Sequence, residues 1–143
     1  MTVSVWSIAA AIAVLLAIGL FLFFFRKVWR MVQRTKARRP NPSRDEFVAL
    51  LSREVRPETA AFLWQRMAFL LPTVSPHPDD HLWNDLPIDE SEPMNEWLAV
   101  FAERHGVGIE AWPVWPAGTP CTVRNYARWL ERGIERAPRS AGS

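Results

Sequence analysis

The first 39 residues divide into an apolar run followed by a basic run. Residues 5–25 read VWSIAAAIAVLLAIGLFLFFF, 21 positions without a charged residue or a proline. A helix of that length rises roughly 30 Å, the thickness of the hydrocarbon core of a bilayer. Because lipid surrounds a single span on every side, its whole circumference must be apolar, as it is here. The pattern predicts a transmembrane helix at about 5–25.

The basic run predicts the orientation of this helix. Residues 1–39 contain seven Lys/Arg and no Asp/Glu, and all seven follow the apolar run. Positive residues near a span stay in the cytoplasm, so we expect a single-pass inner-membrane protein with its N-terminus outside and its C-terminal domain cytoplasmic. The bilayer is then a partner, and the residues expected to anchor the chain at its two interfaces are Trp6, Arg26, Lys27, Trp29 and Arg30.

A cleavable signal peptide is the alternative interpretation of the same run. Such a peptide has positive charge before the apolar segment and a small-residue cleavage site after it. Here the residues before the run carry no charged side chain, and the run ends in three phenylalanines. The sequence therefore favours an uncleaved anchor.

Beyond the basic run the apolar positions follow helical spacing. Pro40, Pro42 and Ser43 predict a break, and Ser43 is a suitable N-cap for a short helix. A second helix is predicted to begin at Pro57 and to end before Pro72. The apolar positions that mark these two helices are Phe47, Leu50, Leu51 and Val55, then Ala61, Leu63, Trp64, Met67, Leu70 and Leu71.

The remaining chain predicts a long loop and two more helices. Residues 72–93 hold five prolines and read as a loop that packs on the core through Leu82, Trp83, Leu86 and Ile88. A helix should follow, with Met94, Trp97, Leu98 and Phe101 on its apolar face and Gly106 as its stop. The last helix should begin near Thr122, and residues 137–143 should form a disordered tail. No segment alternates with the period of a strand, so we expect an all-α protein.

Composition narrows the possible functions. The single cysteine, Cys121, excludes an internal disulfide and a cysteine-based zinc site. Residues 40–143 carry ten Arg and fifteen Asp/Glu, so the basic charge belongs to the membrane flank and predicts no nucleic-acid partner. Trp112 and Trp115 lie beside prolines, and either core packing or an exposed contact patch would explain them.

Several short motifs resemble those of acyl carrier proteins. They are DDHLWNDL at 79–86 with PID at 87–89, EWLAVFAERHGV at 96–107, and TV at 122–123 with WL at 129–130. The resemblance covers about residues 58–132 and is closest to an uncharacterised bacterial family of acyl-carrier-like domains of unknown function. It implies a four-helix bundle with a long first loop. In carrier proteins a serine at the start of the second helix bears a phosphopantetheine arm.

Ser91 is the residue that would carry this arm, but its register is ambiguous. Counting back fifteen positions from Gly106 reaches Ser91, whereas counting forward from Asp85 and Leu86 reaches Glu90. One residue is therefore inserted, and the Asp-Ser-Leu of carriers has become Glu-Ser-Glu followed by Pro93. We interpret Ser91 as a helix N-cap in a domain without the prosthetic group. The alternative is a membrane-tethered carrier modified with phosphopantetheine on Ser91.

Acidic residues dominate the same region. Nine Asp/Glu but only one cation, Arg104, occur between residues 73 and 110. Carrier-like domains use their second helix to dock basic proteins, and a surface of one charge favours such docking. The docking residues that we predict are Asp85, Asp89, Glu90, Glu92, Glu96 and Glu103. A solvated acidic face without a partner is the alternative.

Catalytic chemistry has little support in the sequence. There is no nucleotide-binding loop and no G-x-S-x-G context around Ser91. Pro78 separates His77 from His81, so these two histidines predict no metal site. We therefore predict a non-enzymatic, membrane-anchored cytoplasmic interaction module. Its predicted segments are a membrane helix with basic flank (1–39), a linker with a short helix (40–57), an acyl-carrier-like domain (58–136) and the tail (137–143).

Overall fold

The computed structural model describes residues 4–138, and they are all-helical. The helices are α1 (Val5–Arg38), α2 (Arg44–Leu51), α3 (Pro57–Leu70), α4 (Leu98–Arg104) and α5 (Val123–Arg136). A π-helical segment, Glu92–Trp97, leads directly into α4, and Ile109–Ala111 forms a 3₁₀ turn. No strand forms within this described range, where His81 and Thr122 make an isolated bridge. The all-α prediction is confirmed; the predicted tail lies outside the described residues from position 139 onward.

Helix α1 continues from the apolar run through the basic run without a break. Its most apolar 18-residue window has a mean hydropathy of 2.9, and none of that window is buried against the rest of the chain. Of the helices in residues 4–138, α1 is the one long and apolar enough to cross a membrane. It ends at Arg38 because Arg39 is extended, with φ −150° and ψ 163°, ahead of Pro40. The five predicted anchoring residues all lie on α1 with exposed side chains.

The helix ends follow the predicted capping chemistry. Ser43 and Glu46 form a reciprocal capping box at the start of α2. Pro57 occupies the first turn of α3, and the Thr122 hydroxyl accepts the Asn125 backbone N–H at 3.2 Å to cap α5. Although α2 falls in the predicted 40–57 segment, ahead of the predicted 58–136 domain, its Phe47 and Leu51 side chains are fully buried in the common core.

Aromatic side chains form much of this core. The Trp112 indole is buried, donates to the Leu130 carbonyl at 3.1 Å and contacts Phe101 edge-to-face. The half-buried Trp115 donates to the Thr119 carbonyl at 3.0 Å and packs against the rings of Tyr126 and Trp129. These two tryptophans therefore belong to the packing of the fold and do not form an exposed patch.

The proline-rich loop packs down on the core, as predicted. Leu82, Leu86 and Ile88 are almost completely buried. The Leu82 N–H donates to the Cys121 carbonyl at 3.0 Å, which ties the loop to the segment ahead of α5. Burial raises the pKa of the Cys121 thiol to about 12, so this thiol stays protonated. The loop is thus a structural layer of the domain.

The basic end of α1 is bound to this loop. The Thr35 hydroxyl donates to the Asp85 carbonyl at 2.6 Å, and Arg38 pairs with the Asp85 carboxylate at 3.0 Å. Arg39 donates to both carboxylate oxygens of Asp80, at 2.7 and 2.5 Å. Asp80 is only 4% exposed, so this bidentate pair is buried. We call these contacts the joint, because they hold the membrane-type helix against the helical domain.

Candidate functional site

The surface around Ser91 is built by a helix start whose cap is Asp89. The Asp89 carboxylate accepts both the backbone N–H of Ser91, at 2.9 Å, and its hydroxyl, at 2.5 Å. Ser91 itself accepts no backbone N–H and already has helical φ and ψ. The prediction that Ser91 is the N-cap is therefore wrong. A carboxylate two residues earlier makes the capping contact and leaves the serine exposed in the first turn.

These contacts have an electrostatic consequence for Asp89. The hydroxyl of Ser91, and next its backbone N–H, lower the pKa of the Asp89 carboxyl below its ordinary 3.8. A carboxyl with a lowered pKa in the folded state stabilises the fold above its ordinary pKa. That stabilisation is lost as pH falls through the folded-state pKa.

Replacing the two residues separately distinguishes their roles. Asp89→Ala should lower the thermal midpoint by about 4 °C at neutral pH, because an N-cap is lost. Ser91→Ala should lower it less, and Asp89→Asn should retain most of the stability. The measurement is thermal unfolding of the full chain in detergent, followed by tryptophan fluorescence. The Asp89→Ala deficit should shrink as pH falls below 3.8 and through the lowered pKa of the Asp89 carboxyl; an equal deficit for Ser91→Ala would contradict the assignment.

The helix after this cap starts with a wide turn. Residues Glu92–Trp97 are π-helical, with Pro93 and Trp97 buried. The buried Tyr126 hydroxyl donates to the Pro93 carbonyl. A π-helical turn accommodates one residue more than an α-helical turn. The turn that follows Ser91 is therefore wider than an ordinary α-helical turn.

The predicted docking residues fall into two groups. Asp85 is engaged inside the molecule, since it pairs with Arg38 and its carboxylate accepts the His81 backbone N–H at 2.8 Å. The other five form no ion pair within residues 4–138. We call these five residues the acidic face; they are Asp89, Glu90, Glu92, Glu96 and Glu103. Four of them are exposed and Glu92 is partly exposed. The acidic face, without Asp85, is the surface that a partner could reach.

Charge on the acidic face is not balanced locally. Partial withdrawal from water, and then the charge of Glu96 one turn away, raise the pKa of Glu92. Several carboxylates elsewhere in the domain have arginine partners: Arg124 bridges Glu54 and Asp79, and Arg56 pairs with Glu131 at 2.8 Å. Five acids without an ion pair in the described residues thus follow one another between positions 89 and 103, and three of them lie on the helix that begins at Ser91.

The two histidines of the loop make separate local contacts. His77 Nδ1 accepts the Asp79 backbone N–H at 3.2 Å. The His81 ring lies edge-on against Trp83, with centroids 4.9 Å apart. Across the described part of the chain no group of three or more His, Cys, Asp or Glu side chains is placed to hold a metal ion.

The sequence pattern did not predict the joint. It connected the cations near residue 38 only with the orientation of the span, and Asp80 only with the acids of the loop. Arg39 and Asp80 are 41 positions apart, and no spacing rule connects them. One local signal existed: Asp80 follows two prolines in a loop already predicted to pack down, where a charged residue needs a partner.

Comparisons of the chain with protein-family models, with curated proteins and with solved structures found no significant match. The likeness to acyl carriers therefore rests on the short sequence motifs alone.

Proposed function

We propose that this chain is a single-pass inner-membrane protein with its N-terminus outside and its helical domain in the cytoplasm. The apolar part of α1 lies clear of the rest of the chain, which would be unfavourable in water and suits a lipid environment. The seven cations that follow support the inward orientation. The domain binds a protein partner and carries out no catalysis.

The joint supports a fixed position for that domain. Because α1 is one continuous helix to Arg38, the rise from Arg26 to Arg38 is about 18 Å. Arg38 and Arg39 are then held by Asp85 and Asp80. A domain mounted in this way stays close to the bilayer surface. Its partner must therefore be a membrane protein or one recruited to the membrane.

The acidic face is the observation that carries the interaction proposal. Its carboxylates form no ion pair within the described residues, whereas Glu54, Asp80 and Glu131 elsewhere in the domain do. A basic protein surface would supply the missing cations, accelerate association and set its register. The wide turn and the buried Tyr126–Pro93 contact give this face a rigid base.

Photo-crosslinking in cells tests this interaction. Ala99 is exposed and lies three residues after Glu96 and four before Glu103, so a benzoylphenylalanine there samples the acidic face. We expect one discrete adduct at Ala99 and none at the exposed Arg132 on α5. The double variant Glu96→Gln/Glu103→Gln should reduce the adduct about fivefold, because each exposed ion pair contributes only a fraction of a kcal/mol.

The matched control removes the same charge elsewhere. Glu110→Gln/Glu135→Gln takes two exposed carboxylates from outside the acidic face and should leave the adduct unchanged. Equal loss in both double variants, or an adduct that tolerates the loss of Glu96 and Glu103, would refute a specific docking role.

Within this proposal the domain resembles an acyl carrier in fold but lacks the prosthetic group. Within the resembling range 58–132 lie α3, α4 with its π-helical start and α5, and the loop 71–91 between α3 and α4 would correspond to the long first loop of carriers. The local sequence supports the absence of the arm, because Glu92 follows Ser91 where carriers have leucine. The alternative, a tethered carrier, is favoured by one observation: the Ser91 side chain is exposed.

Intact mass decides between these alternatives. The full chain, co-expressed with a phosphopantetheinyl transferase, should keep its unmodified mass. A gain of one phosphopantetheine that disappears in Ser91→Ala would establish the carrier instead.

A further inference from the structure

A groove runs along the basic end of α1, on the side that faces the loop. Its volume is about 720 Å³, and its lining includes Phe23, Arg26, Lys27, Arg30, Arg34 and Asn84. Phe23 belongs to the last turn of the apolar run, and Asn84 is contributed by the helical domain. The groove therefore extends from the apolar level of α1 to the polar surface of the domain. It exists because the joint holds the domain beside the helix.

The cations of this groove repel one another. Arg26, Arg30, Arg34 and Arg38 follow at intervals of four residues, and like charges at that spacing destabilise a helix. Arg38 has a carboxylate partner in Asp85. Within residues 4–138, Arg26, Lys27, Arg30 and Arg34 have none. An anion in the groove would relieve this repulsion.

The direction of the side chains indicates where that anion lies. In an α-helix each Cα–Cβ bond tilts toward the N-terminus, so the side chains of Arg30 and Arg34 lean back toward the apolar run. Arg26 and Arg30 are about 6 Å apart along the axis, a distance comparable to the headgroup layer of one leaflet. Three guanidinium groups and one ammonium thus line the groove near the end of the span, together with the Phe23 ring.

We propose that this groove binds an anionic phospholipid through its phosphate. The phosphate is held by Arg26, Lys27, Arg30 and Arg34, while an acyl chain lies along Phe23 and the polar headgroup reaches the Asn84 amide. The orientation of α1 in the membrane requires only positive charge near the end of the span. The lipid site also requires the side of the groove that the helical domain contributes through Asn84. It rests on the membrane insertion of α1 in the proposed function and is independent of the acidic face.

Native mass spectrometry of the full chain in a non-ionic detergent tests the site. Titration with phosphatidylglycerol should give a one-to-one complex, and phosphatidylcholine should give none. Arg30→Gln/Arg34→Gln should weaken phosphatidylglycerol binding about 30-fold, since each cation near a lipid surface contributes to anionic-lipid affinity. The matched variant Lys36→Gln/Arg44→Gln removes two cations outside the groove and should change binding less than threefold.

Each other outcome overturns the proposal. Equal loss in the two double variants would show only general electrostatic attraction. Equal binding of phosphatidylcholine would show that the phosphate charge is not recognised. Displacement of the lipid by millimolar inorganic phosphate would identify a site for the free anion. All of these results leave crosslinking at Ala99 unaffected, so failure here is distinguishable from failure of the acidic face as a docking surface.

Discussion

Replacing Arg39 by methionine should lower the thermal midpoint of the helical domain by about 12 °C or more. The substitution leaves the Asp80 carboxylate 4% exposed and without its guanidinium partner. Removing one member of a buried ion pair costs about 3 kcal/mol or more, and each kcal/mol shifts the midpoint of a domain of this size by at least about 4 °C. Arg39 also donates to the Ser75 carbonyl at 2.9 Å, so a second loop contact is lost.

The neighbouring residue provides the control. Arg38 pairs with Asp85 at 3.0 Å, but its side chain is 65% exposed, so Arg38→Met should cost about 1 kcal/mol or less. Unfolding of each full-length variant in detergent can be followed by tryptophan fluorescence, because most tryptophans lie in the helical domain. Arg39→Met/Asp80→Asn should recover part of the loss, since no uncompensated charge remains buried. Similar midpoints for Arg38→Met and Arg39→Met would contradict the buried joint.

Gly133→Ala should destabilise the domain by about 2 kcal/mol, against the usual effect of this substitution in a helix. In a helix interior, alanine is ordinarily more stable than glycine by up to about 1 kcal/mol. Here a Cβ at position 133 would lie 2.1 Å from a ring carbon of Trp112, and the indole must move. Moving it disturbs its hydrogen bond to the Leu130 carbonyl and its packing on Phe101.

Two variants isolate this steric effect. Arg132→Ala changes the adjacent, exposed position of α5 and should alter stability by less than about 0.5 kcal/mol. In a Trp112→Leu background, which is itself destabilised, Gly133→Ala should become neutral or stabilising because the ring is absent. Denaturant unfolding of the parent chain, of Gly133→Ala, of Trp112→Leu and of their double variant measures the coupling between the two positions. An additive result would show that Trp112 does not require the glycine.

Local signals predicted the helices of residues 4–138 apart from the π-helical segment Glu92–Trp97. The apolar run, the N-cap at Ser43, Pro57 in a first turn and Thr122 ahead of α5 each act within about one helical turn. Such signals can be read from neighbouring residues. The burial of the loop side chains Leu82 and Leu86 was also predictable, because an apolar side chain is more stable away from water whichever distant segment covers it.

At the start of the helix that begins at Ser91, neighbouring residues do not determine which side chain is the N-cap. Both Asp89 and Ser91 are good caps, and the choice between them depends on how the chain enters the helix. That entry depends on Pro93, whose carbonyl accepts the Tyr126 hydroxyl from α5, 33 positions away. The contact with α5 thus lies at the start of the π-helical turn, which no local sequence signal predicted.

The sequence by itself determined a long apolar helix with a basic end, an all-helical remainder and a concentration of acids between residues 79 and 110. Only the tertiary structure decided which charges stay available. It paired Arg39 with Asp80 and Arg38 with Asp85, and within residues 4–138 it left Arg30 and Glu96 without an ion pair. The physical reason is that periodicity and capping act over a few residues, whereas the partner of a charge depends on which distant segment the fold brings within about 4 Å.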